Sequence, residues 1–262
     1  MIFWIVVMAI CSYFVGNINW ALIISKIKNK DIRKMGSGNP GTLNMSRNFG
    51  LKIGLLTFFL DMAKGAIPTL VAFFAFNGKY FPNTGFAVSD FAIYLCGFCV
   101  IFGHIYPVVL KFKGGKGIAS TIGVFLVCES VHGWEWAMVS IMALVAAAAF
   151  IYFTEFGAMG SFIAITPPAI SAFIRLYILN SPYPERISLH LITNVLIFLI
   201  CFFTWFAHRK NIERMLAGEE HPTSIKKMVV QNKAKKLANK DNQNAPLSIK
   251  AQVERTINGD GK

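Results

Sequence analysis

This chain consists largely of a succession of apolar segments, most of them long enough to cross a lipid bilayer. A helix needs about 20 apolar residues to span a hydrocarbon core of about 30 Å. Seven segments approach or exceed this length, near residues 2–25, 51–76, 88–109, 118–132, 134–152, 158–179 and 189–207. Because the bilayer offers no water to the backbone, the pattern predicts an all-α, polytopic membrane protein with about seven transmembrane helices.

Composition agrees with this fold class. Of the 262 residues, 55% are hydrophobic and 24 are Phe, which is more than one soluble domain needs to fill its core. The first apolar segment has no small-residue cleavage site, so we expect a retained helix and not a removed signal peptide. The fourth segment is short, and the second contains Asp61 and Lys64. Both could be tilted or broken in the membrane.

Basic residues indicate the orientation. Lys79 and Arg186 are the basic residues of one set of alternate connections, and the opposite set holds many more. The positive-inside rule therefore predicts an outer amino terminus and a cytoplasmic carboxy terminus. The net charge of +13 is explained by this asymmetry and by affinity for anionic membrane lipids. Binding of nucleic acid is not expected, because that would need a folded soluble module. The basic set comprises Lys26, Lys28, Lys30, Arg33, Lys34, Arg47, Lys111, Lys113, Lys116 and the carboxy-terminal tail.

The connection within residues 103–120 combines lysines with glycines. Glycine lets backbone N–H groups converge in conformations that other residues resist, and lysine adds cationic donors. Lys113-Gly114-Gly115-Lys116-Gly117 is therefore typical of a site for anionic oxygen, such as phosphate. A positive-inside anchor would also need lysine, as we expect for Lys111, but would not require the glycines. The Ser or Thr that follows a Walker A lysine is missing, so the segment does not indicate nucleotide hydrolysis.

A second candidate for phosphate binding is the connection Met35–Arg47. It is rich in hydroxyl, amide and glycine residues, and Arg47 could bind a phosphate in bidentate fashion. Its glycines formally satisfy GxGxxG, but no βαβ unit can surround them in a helical membrane protein. The candidate residues are Ser37, Gly38, Asn39, Gly41, Thr42, Asn44 and Arg47.

Two further pairs share a helix face at spacing i, i+3. Asp61 and Lys64 lie where a helix would enter the membrane, and either a structural ion pair or direct substrate contact would explain them. His208 and Asn211 lie in residues 207–220, which predict an amphipathic helix along the cytoplasmic interface. A histidine there often contacts lipid headgroups, but this pair could also reach the phosphate pocket.

Taken together, the order and one-sided placement of these motifs resemble the bacterial acyl-phosphate:glycerol-3-phosphate acyltransferases, the PlsY-type membrane family. The resemblance covers about residues 1–222, an integral membrane domain. Four motifs in register carry it: Ser37-Gly38-Asn39 with Gly41, Thr42, Asn44 and Arg47; Asp61 with Lys64-Gly65; Gly103-His104 with Pro107 and Phe112-Lys113-Gly114-Gly115-Lys116-Gly117; and His208-Arg209 with Asn211-Ile212, Arg214, Leu216 and Gly218.

The resemblance implies an activity, a location and a set of site residues. The reaction would move a fatty acyl group from acyl phosphate to the sn-1 hydroxyl of glycerol 3-phosphate, giving lysophosphatidic acid and inorganic phosphate in the first acylation step of phospholipid biosynthesis. No cofactor, metal, coenzyme A or acyl-carrier protein would be required, and the site would face the cytoplasm at the bacterial plasma membrane. The implied catalytic residues are Ser37, Arg47, Lys116, His208 and Asn211, with phosphate bound by Gly38, Asn39, Gly41, Thr42, Asn44, Lys113, Gly114, Gly115, Gly117 and Ser161, and with Asp61, Lys64 and His104 in support.

The general base is left open by the sequence. No histidine is followed by an aspartate five positions later, as in the soluble-loop acyltransferases. His208 could accept the hydroxyl proton, or a substrate phosphate oxygen with a second pKa near ~6 could do so. We favour the substrate-assisted route.

The chain departs from the family at the start of the sixth span. Thr154-Glu155-Phe156-Gly157-Ala158-Met159-Gly160-Ser161 stands where the family commonly has Thr-Arg-Tyr-x-Ser-x-x-Ser. Glu155 thus replaces an arginine and Ala158 a serine, which removes a phosphate donor and adds a negative charge near anionic substrates. Either Glu155 pairs with a nearby cation or substrate affinity is altered.

Two further expectations concern the tail and a competing function. Residues 223–262 are polar and basic with few large apolar residues, so we expect disorder and contact with the membrane surface. An anion or phosphate-ester transporter would also use lysine and glycine among helices. Its binding groups should lie near the bilayer midplane, often within an internal repeat. The chain has no evident repeat, and its candidate groups collect on one face.

Overall fold

The computed structural model describes residues 1–219 and Val230. Regular structure in this part of the chain is helical apart from one isolated bridge between Tyr80 and Ala87. The helices are α1 (Ile2–Gly16), α2 (Trp20–Ile27), α3 (Thr42–Phe49), α4 (Leu51–Phe76), α5 (Val88–Ile105), α6 (Ile118–Ser130), α7 (Trp134–Thr154), α8 (Gly157–Asn180), α9 (Ile187–Phe206) and α10 (Arg209–Leu216), with short 3-10 helices at Ile32–Lys34, Val108–Leu110 and Pro184–Arg186.

The predicted all-α, polytopic membrane architecture is confirmed. Six helical stretches of the described chain are long and apolar enough to cross a membrane, namely Ile2–Ile27, Leu51–Phe76, Val88–Leu110, Trp134–Thr154, Gly157–Asn180 and Pro184–Phe206. The expected fourth span is the 13-residue helix α6. At 1.5 Å per residue it is roughly 20 Å long, shorter than the hydrocarbon core. A count of seven spans and the orientation of the termini therefore stay predictions.

The first span is broken, which corrects the continuous segment expected over residues 2–25. Helix α1 ends at Gly16, and α2 begins again at Trp20. The Asn19 side chain caps α2, since its Oδ1 accepts a hydrogen bond from the Leu22 N–H at 3.0 Å. Asn17 Nδ2 donates to the Tyr13 carbonyl at 2.6 Å. Asparagine side chains satisfy backbone groups at such ends, so part of the break is stabilised locally.

Glycines let two pairs of helices approach closely. A Cβ at Gly65 of α4 would collide with the Ser120 backbone of α6, and one at Gly123 of α6 would collide with the Met62 carbonyl of α4. The Ser120 hydroxyl also donates to the Asp61 carbonyl at 2.9 Å. Small residues at helix contacts are the usual basis of packing inside membranes. Helices α1 and α5 meet in the same way, with Gly16 against Val100 and Gly103 against Tyr13 and Asn17.

Helix α5 lies at the centre of the bundle and defines its two ends. It packs against α1, α4, α6 and α9. Asp90, near its start, lies 3.2 Å from His132, which follows α6, so α6 runs antiparallel to α5 and traverses the bundle despite its length. Because α6, α7, α8 and α9 return the chain to the end of α5 that carries His104, the connection 106–117 and the start of α10 share that end. The expected disorder of residues 223–262 falls outside the described residues, apart from Val230.

Candidate active site

Two basic connections meet at the end of the bundle that carries His104. Leu110, in the connection 106–117, packs against a buried apolar cluster formed by α2 and the connection between α2 and α4, namely Ala21, Leu22, Ile24, Ile32 and Met45. Nearby, a Cβ at Gly115 would lie 3.2 Å from the Pro40 carbonyl oxygen. The structure therefore places the Lys113–Gly117 segment beside the Ser37–Arg47 segment, as one pocket would require.

The Ser37–Arg47 segment is organised by the buried side chain of Asn44. Its Oδ1 accepts from the Ser37 N–H at 3.2 Å and from Asn48 Nδ2 at 3.0 Å, and its Nδ2 donates to the Met35 carbonyl at 2.9 Å. The amide thus holds the loop, and its hydrogen-bonding capacity is largely used there. The Ser37 residue is exposed, and Arg47 lies half-buried in the last turn of α3.

The remaining predicted phosphate contacts of this segment are close to Asn44. Thr42 is the first residue of α3, Gly41 precedes it as the helix cap, and both are half-buried. Gly38 has a φ of +70°, which favours glycine, and Asn39 Nδ2 faces Gly41. Hydroxyl, amide and backbone donors therefore collect around the start of a helix, where backbone N–H groups favour an anion.

The glycines of the Lys113–Gly117 segment have a different role from the one expected. Gly114 N–H donates to the Ile105 carbonyl and Gly115 N–H to the His104 carbonyl, each at 3.2 Å. These N–H groups are thus used within the protein and do not converge on a ligand. A Cβ at Gly114 would collide with the His104 carbonyl, and one at Gly115 with the His104 ring. Close packing against α5 explains both glycines, while Gly117, with a φ of +85°, caps α6.

Lys116 and Asn211 are joined directly. The Lys116 ammonium donates to Asn211 Oδ1, so the connection before α6 is tied to α10. Lys116 is half-buried, whereas Lys113 is exposed. Of these two lysines, Lys116 is held in a defined position and Lys113 extends towards solvent.

His208 lies buried beside this pair. Its Nδ1 is 2.8 Å from the Thr204 carbonyl oxygen, which can only accept, so Nδ1 carries the proton and Nε2 is the basic nitrogen. The Phe162 ring of α8 packs edge-on against the imidazole with centroids 5.4 Å apart. Burial, assisted by the Lys116 ammonium, lowers the pKa of His208 to about 4. The imidazole is therefore neutral near pH 7.

The shifted pKa of His208 predicts a specific pH dependence of stability. An unfolded chain binds a proton at this histidine below about pH 6.5, while the folded protein stays neutral there until about pH 4. Stability from this group is therefore present above about pH 6.5 and lost as the pH falls towards about 4. In melting curves over this range, His208→Gln should show a shallower loss than the parent. Identical pH profiles for both proteins would contradict the assignment.

A buried ion pair lies near His104, the residue against which Gly114 and Gly115 pack. Lys64 Nζ lies 2.9 Å from Asp61 Oδ1, with both side chains 3% exposed. The ammonium also donates to the Ile18 carbonyl at the break between α1 and α2. His104 Nδ1 is 4.0 Å from the same carboxylate oxygen. Since these groups contact one another and the broken first span, the structure favours the structural ion pair over direct substrate contact.

The start of α8 lies at the same end. The Ser161 hydroxyl donates to the Gly157 carbonyl of its own helix at 2.9 Å. Ala158 is buried, and the half-buried Glu155 ends α7 with a φ of +63°. Glu155 forms no ion pair with any described residue, so of the two alternatives, pairing with a nearby cation is not found there and altered substrate affinity stays a prediction.

The structure thus joins Lys116 to Asn211 directly and places His208 close enough to Lys116 to interact electrostatically. The Ser37–Arg47 segment lies against the same loop. Sequence reasoning missed two groups that hold His208, the Thr204 carbonyl and the Phe162 ring. Thr204 carried a signal, because it lies one helical turn before His208 at i−4. These features define a polytopic membrane protein whose cationic site suits phosphorylated ligands.

Comparison with known proteins identifies the family. Residues 6–218 match the family model described as glycerol-3-phosphate acyltransferase. The relative of that name from Aquifex aeolicus is 34% identical over 217 residues, covering 82% of this chain and 96% of its own. The one from Thermoanaerobacter pseudethanolicus is 35% identical over 217 residues, with 82% and 93% covered. The chain belongs to the glycerol-3-phosphate acyltransferase family, which confirms the resemblance.

Solved structures of similar proteins support the same family. The crystal structure of PlsY (YgiH), an integral membrane glycerol 3-phosphate acyltransferase, in its glycerol 3-phosphate form superimposes with a TM-score of 0.64. Sequence identity is 30%, and the match covers 83% of this chain and 94% of that one. The lysophosphatidic acid form of the same protein gives a TM-score of 0.63.

Proposed function

We propose that this protein transfers a fatty acyl group from acyl phosphate to the sn-1 hydroxyl of glycerol 3-phosphate, releasing lysophosphatidic acid and inorganic phosphate. The observation that carries this proposal is the position of the Lys116 ammonium, bonded to Asn211 and beside His208, at the end where the Ser37–Arg47 segment lies. Both substrates and one product carry phosphate, so a fixed cation serves every stage of the reaction.

The reaction needs little covalent chemistry from the protein. The glycerol hydroxyl oxygen bonds to the acyl carbon, the bond from that carbon to the phosphate oxygen breaks, and phosphate leaves. Because acyl phosphate is already activated, positioning and charge stabilisation suffice. We assign Arg47 and Lys116 to neutralising phosphate charge, and Ser37 and Asn211 to orienting the substrates. Further phosphate contacts are assigned to Gly38, Asn39, Gly41, Thr42, Lys113, Gly117 and Ser161.

The hydroxyl proton goes either to His208 Nε2 or to a phosphate oxygen. With a pKa of about 4, the His208 imidazole is a weak base, while a phosphate monoester has a second pKa near ~6. The difference favours the substrate-assisted route, with His208 accepting a hydrogen bond. A pH–rate profile of His208→Gln separates the routes. An unchanged acid limb excludes His208 as the base, and loss of that limb assigns the base to His208.

The acyl donor is tested by comparing palmitoyl phosphate, palmitoyl coenzyme A and palmitoyl-acyl-carrier protein at equal concentration with purified protein. Only palmitoyl phosphate should give lysophosphatidic acid, identified by mass spectrometry, with the acyl group at sn-1. Product from coenzyme A or carrier-protein thioesters at a similar rate would contradict the proposed donor.

Glu155 should weaken substrate binding in this chain. Replacing it with arginine exchanges a negative for a positive charge at the end of α7, on the site side of the bundle. We expect Glu155→Arg to lower KM for glycerol 3-phosphate about 2- to 5-fold. Ala158→Ser, which restores only a hydroxyl, is the matched comparison. An unchanged KM in both variants would show that the segment is peripheral to binding.

Residues 1–222 are proposed to form the complete catalytic domain, in the bacterial plasma membrane with the site facing the cytoplasm. Deletion after Thr223 should therefore leave kcat within about twofold of the full chain. Turnover by detergent-purified protein checks this directly. Loss of activity in a truncated protein that still melts at the parental temperature would assign the tail a part in catalysis.

Transport of a phosphate ester is the competing function. The candidate phosphate-binding residues Arg47, Lys113 and Lys116 lie at one end of the bundle, where an enzyme would place them and a midplane carrier would not. Proteoliposomes distinguish the two: release of phosphate that depends on both substrates supports the enzyme. Uptake of labelled glycerol 3-phosphate without acyl phosphate would support the transporter.

A further inference from the structure

A second group of buried polar side chains lies at the opposite end of the bundle. It consists of Asp90 and Tyr94 on α5, Glu129 on α6, and Ser171 and Arg175 on α8, all buried. Asp90 and His104 are 14 positions apart on one helix, which separates this group from the candidate active site by roughly 20 Å. The proposed acyl transfer uses none of these residues.

These side chains connect three helices. Arg175 Nη2 donates to the Tyr94 hydroxyl at 2.8 Å, joining α8 to α5. The Ser171 hydroxyl donates to Glu129 Oε2 at 3.1 Å, joining α8 to α6. Ionisable side chains within a membrane bundle cost free energy, usually face the bundle interior or a water-filled cavity, and often mark a functional site.

The two charged members are incompletely satisfied by protein. Arg175 is 1% exposed and Glu129 is fully buried. Among the described residues, Arg175 Nε and Nη1 and Glu129 Oε1 have no hydrogen-bond partner. Arg175 and Glu129 are close enough to interact electrostatically, yet no guanidinium nitrogen of Arg175 lies within 4.0 Å of a carboxylate oxygen of Glu129. A buried guanidinium stays protonated, so its unsatisfied donors carry a large cost.

The charges of Arg175 and Glu129 indicate which kind of ligand could bond to their unpartnered atoms. An anion would satisfy Arg175 but would be repelled by Glu129 and Asp90. A metal cation would satisfy the carboxylates but would be repelled by Arg175. Water both donates and accepts, so it can bond to the guanidinium and to Glu129 Oε1 at once.

We propose that Arg175 and Glu129 form the walls of a buried water-binding pocket and interact as a water-bridged ion pair that joins α5, α6 and α8. Asp90 and His132, whose side chains are 12% and 16% exposed and 3.2 Å apart, are its connection to the surface of the bundle. The pocket is independent of the proposed acyl transfer.

If Arg175 and Glu129 form a coupled ion pair, the single and double variants should differ in stability in a characteristic way. Removing one partner leaves the other charge buried and uncompensated, whereas removing both is often nearly neutral. In the purified full chain, Arg175→Met and Glu129→Leu should each lower the apparent Tm by roughly 6–20 °C. The double variant should melt above Arg175→Met alone. Lys79→Met, an exposed cation whose connection follows α4 at the same end, is the control and should melt like the parent.

Additive losses in the double variant would overturn the coupling. The water itself is tested on the unmodified protein, so the proposal remains testable even if the variants fail to fold. An experimental map at about 2 Å resolution should show ordered water within about 3.2 Å of both Glu129 Oε1 and an Arg175 nitrogen. Direct contact between the two side chains, or a pocket without density, would refute the proposal.

Discussion

Replacing Lys116 with methionine is expected to reduce kcat by about 10²- to 10³-fold, the usual effect of losing one charge-stabilising donor from a dry active site. Methionine keeps the length and packing of the stem but removes the ammonium that bonds to Asn211. Developing charge on the leaving phosphate would then lack a fixed cation. The measurement is initial-rate kinetics with palmitoyl phosphate and glycerol 3-phosphate.

Lys111→Met is the matched control for Lys116. Lys111 lies in the same connection but is exposed, and we expect its ammonium group to contact lipid headgroups. Its loss should change kcat by less than about twofold. If both variants lose activity to a similar degree, the activity depends on the net charge of the connection and not on the position of the Lys116 ammonium. If Lys116→Met retains parental kcat, the assignment of Lys116 is wrong.

Replacing Asp61 with alanine is expected to lower the free energy of unfolding by about 3–5 kcal/mol, because it leaves the Lys64 ammonium buried without its counter-charge. Both side chains are 3% exposed, and Lys64 also holds the break of the first span through the Ile18 carbonyl. The loss should appear as a reduced yield and a lower midpoint in denaturant unfolding. The double variant Asp61→Ala, Lys64→Met should recover part of the loss.

The exposed ion pair between Asp31 and Arg33 provides a comparison. Asp31 Oδ2 lies 2.8 Å from Arg33 Nη2, and hydrogen bonds from Arg33 lower the pKa of Asp31 to about 2. Solvent screens such pairs, so Asp31→Ala should change stability little. If Asp61→Ala changes the stability as little as Asp31→Ala does, the buried pair does not stabilise the fold.

The sequence predicted the helical membrane fold and the placement of chemistry at one end because both follow from local patterns. The length of each apolar segment identifies a membrane span. Because basic residues concentrate in alternate connections, residues 28–50, residues 106–117 and the start of α10 are expected on the same side of the membrane. Lys116 and Asn211 are far apart in sequence, yet the topology was enough to expect them in one pocket. The break at Asn17–Asn19 also had a local signal, an asparagine cap before Trp20, that hydrophobicity alone obscured.

Details that depend on tertiary contacts were not predictable. The N–H groups of Gly114 and Gly115 bond to carbonyls at the end of α5, and only the docking of the loop against His104 reveals this. Asn44 likewise uses its amide within its own loop. The proximity of Arg175 and Glu129 was not predictable, because they are single polar residues in separate apolar segments, without a shared spacing to connect them.

We propose that this membrane protein uses acyl phosphate directly, and every assigned role depends on that donor. The most direct measurement is release of inorganic phosphate by the purified chain from palmitoyl phosphate and glycerol 3-phosphate, without metal, coenzyme A or carrier protein. We expect one phosphate released for each lysophosphatidic acid formed, with no release when either substrate is omitted. Phosphate release without glycerol 3-phosphate, or lysophosphatidic acid formed only when a thioester donor is added, would contradict it.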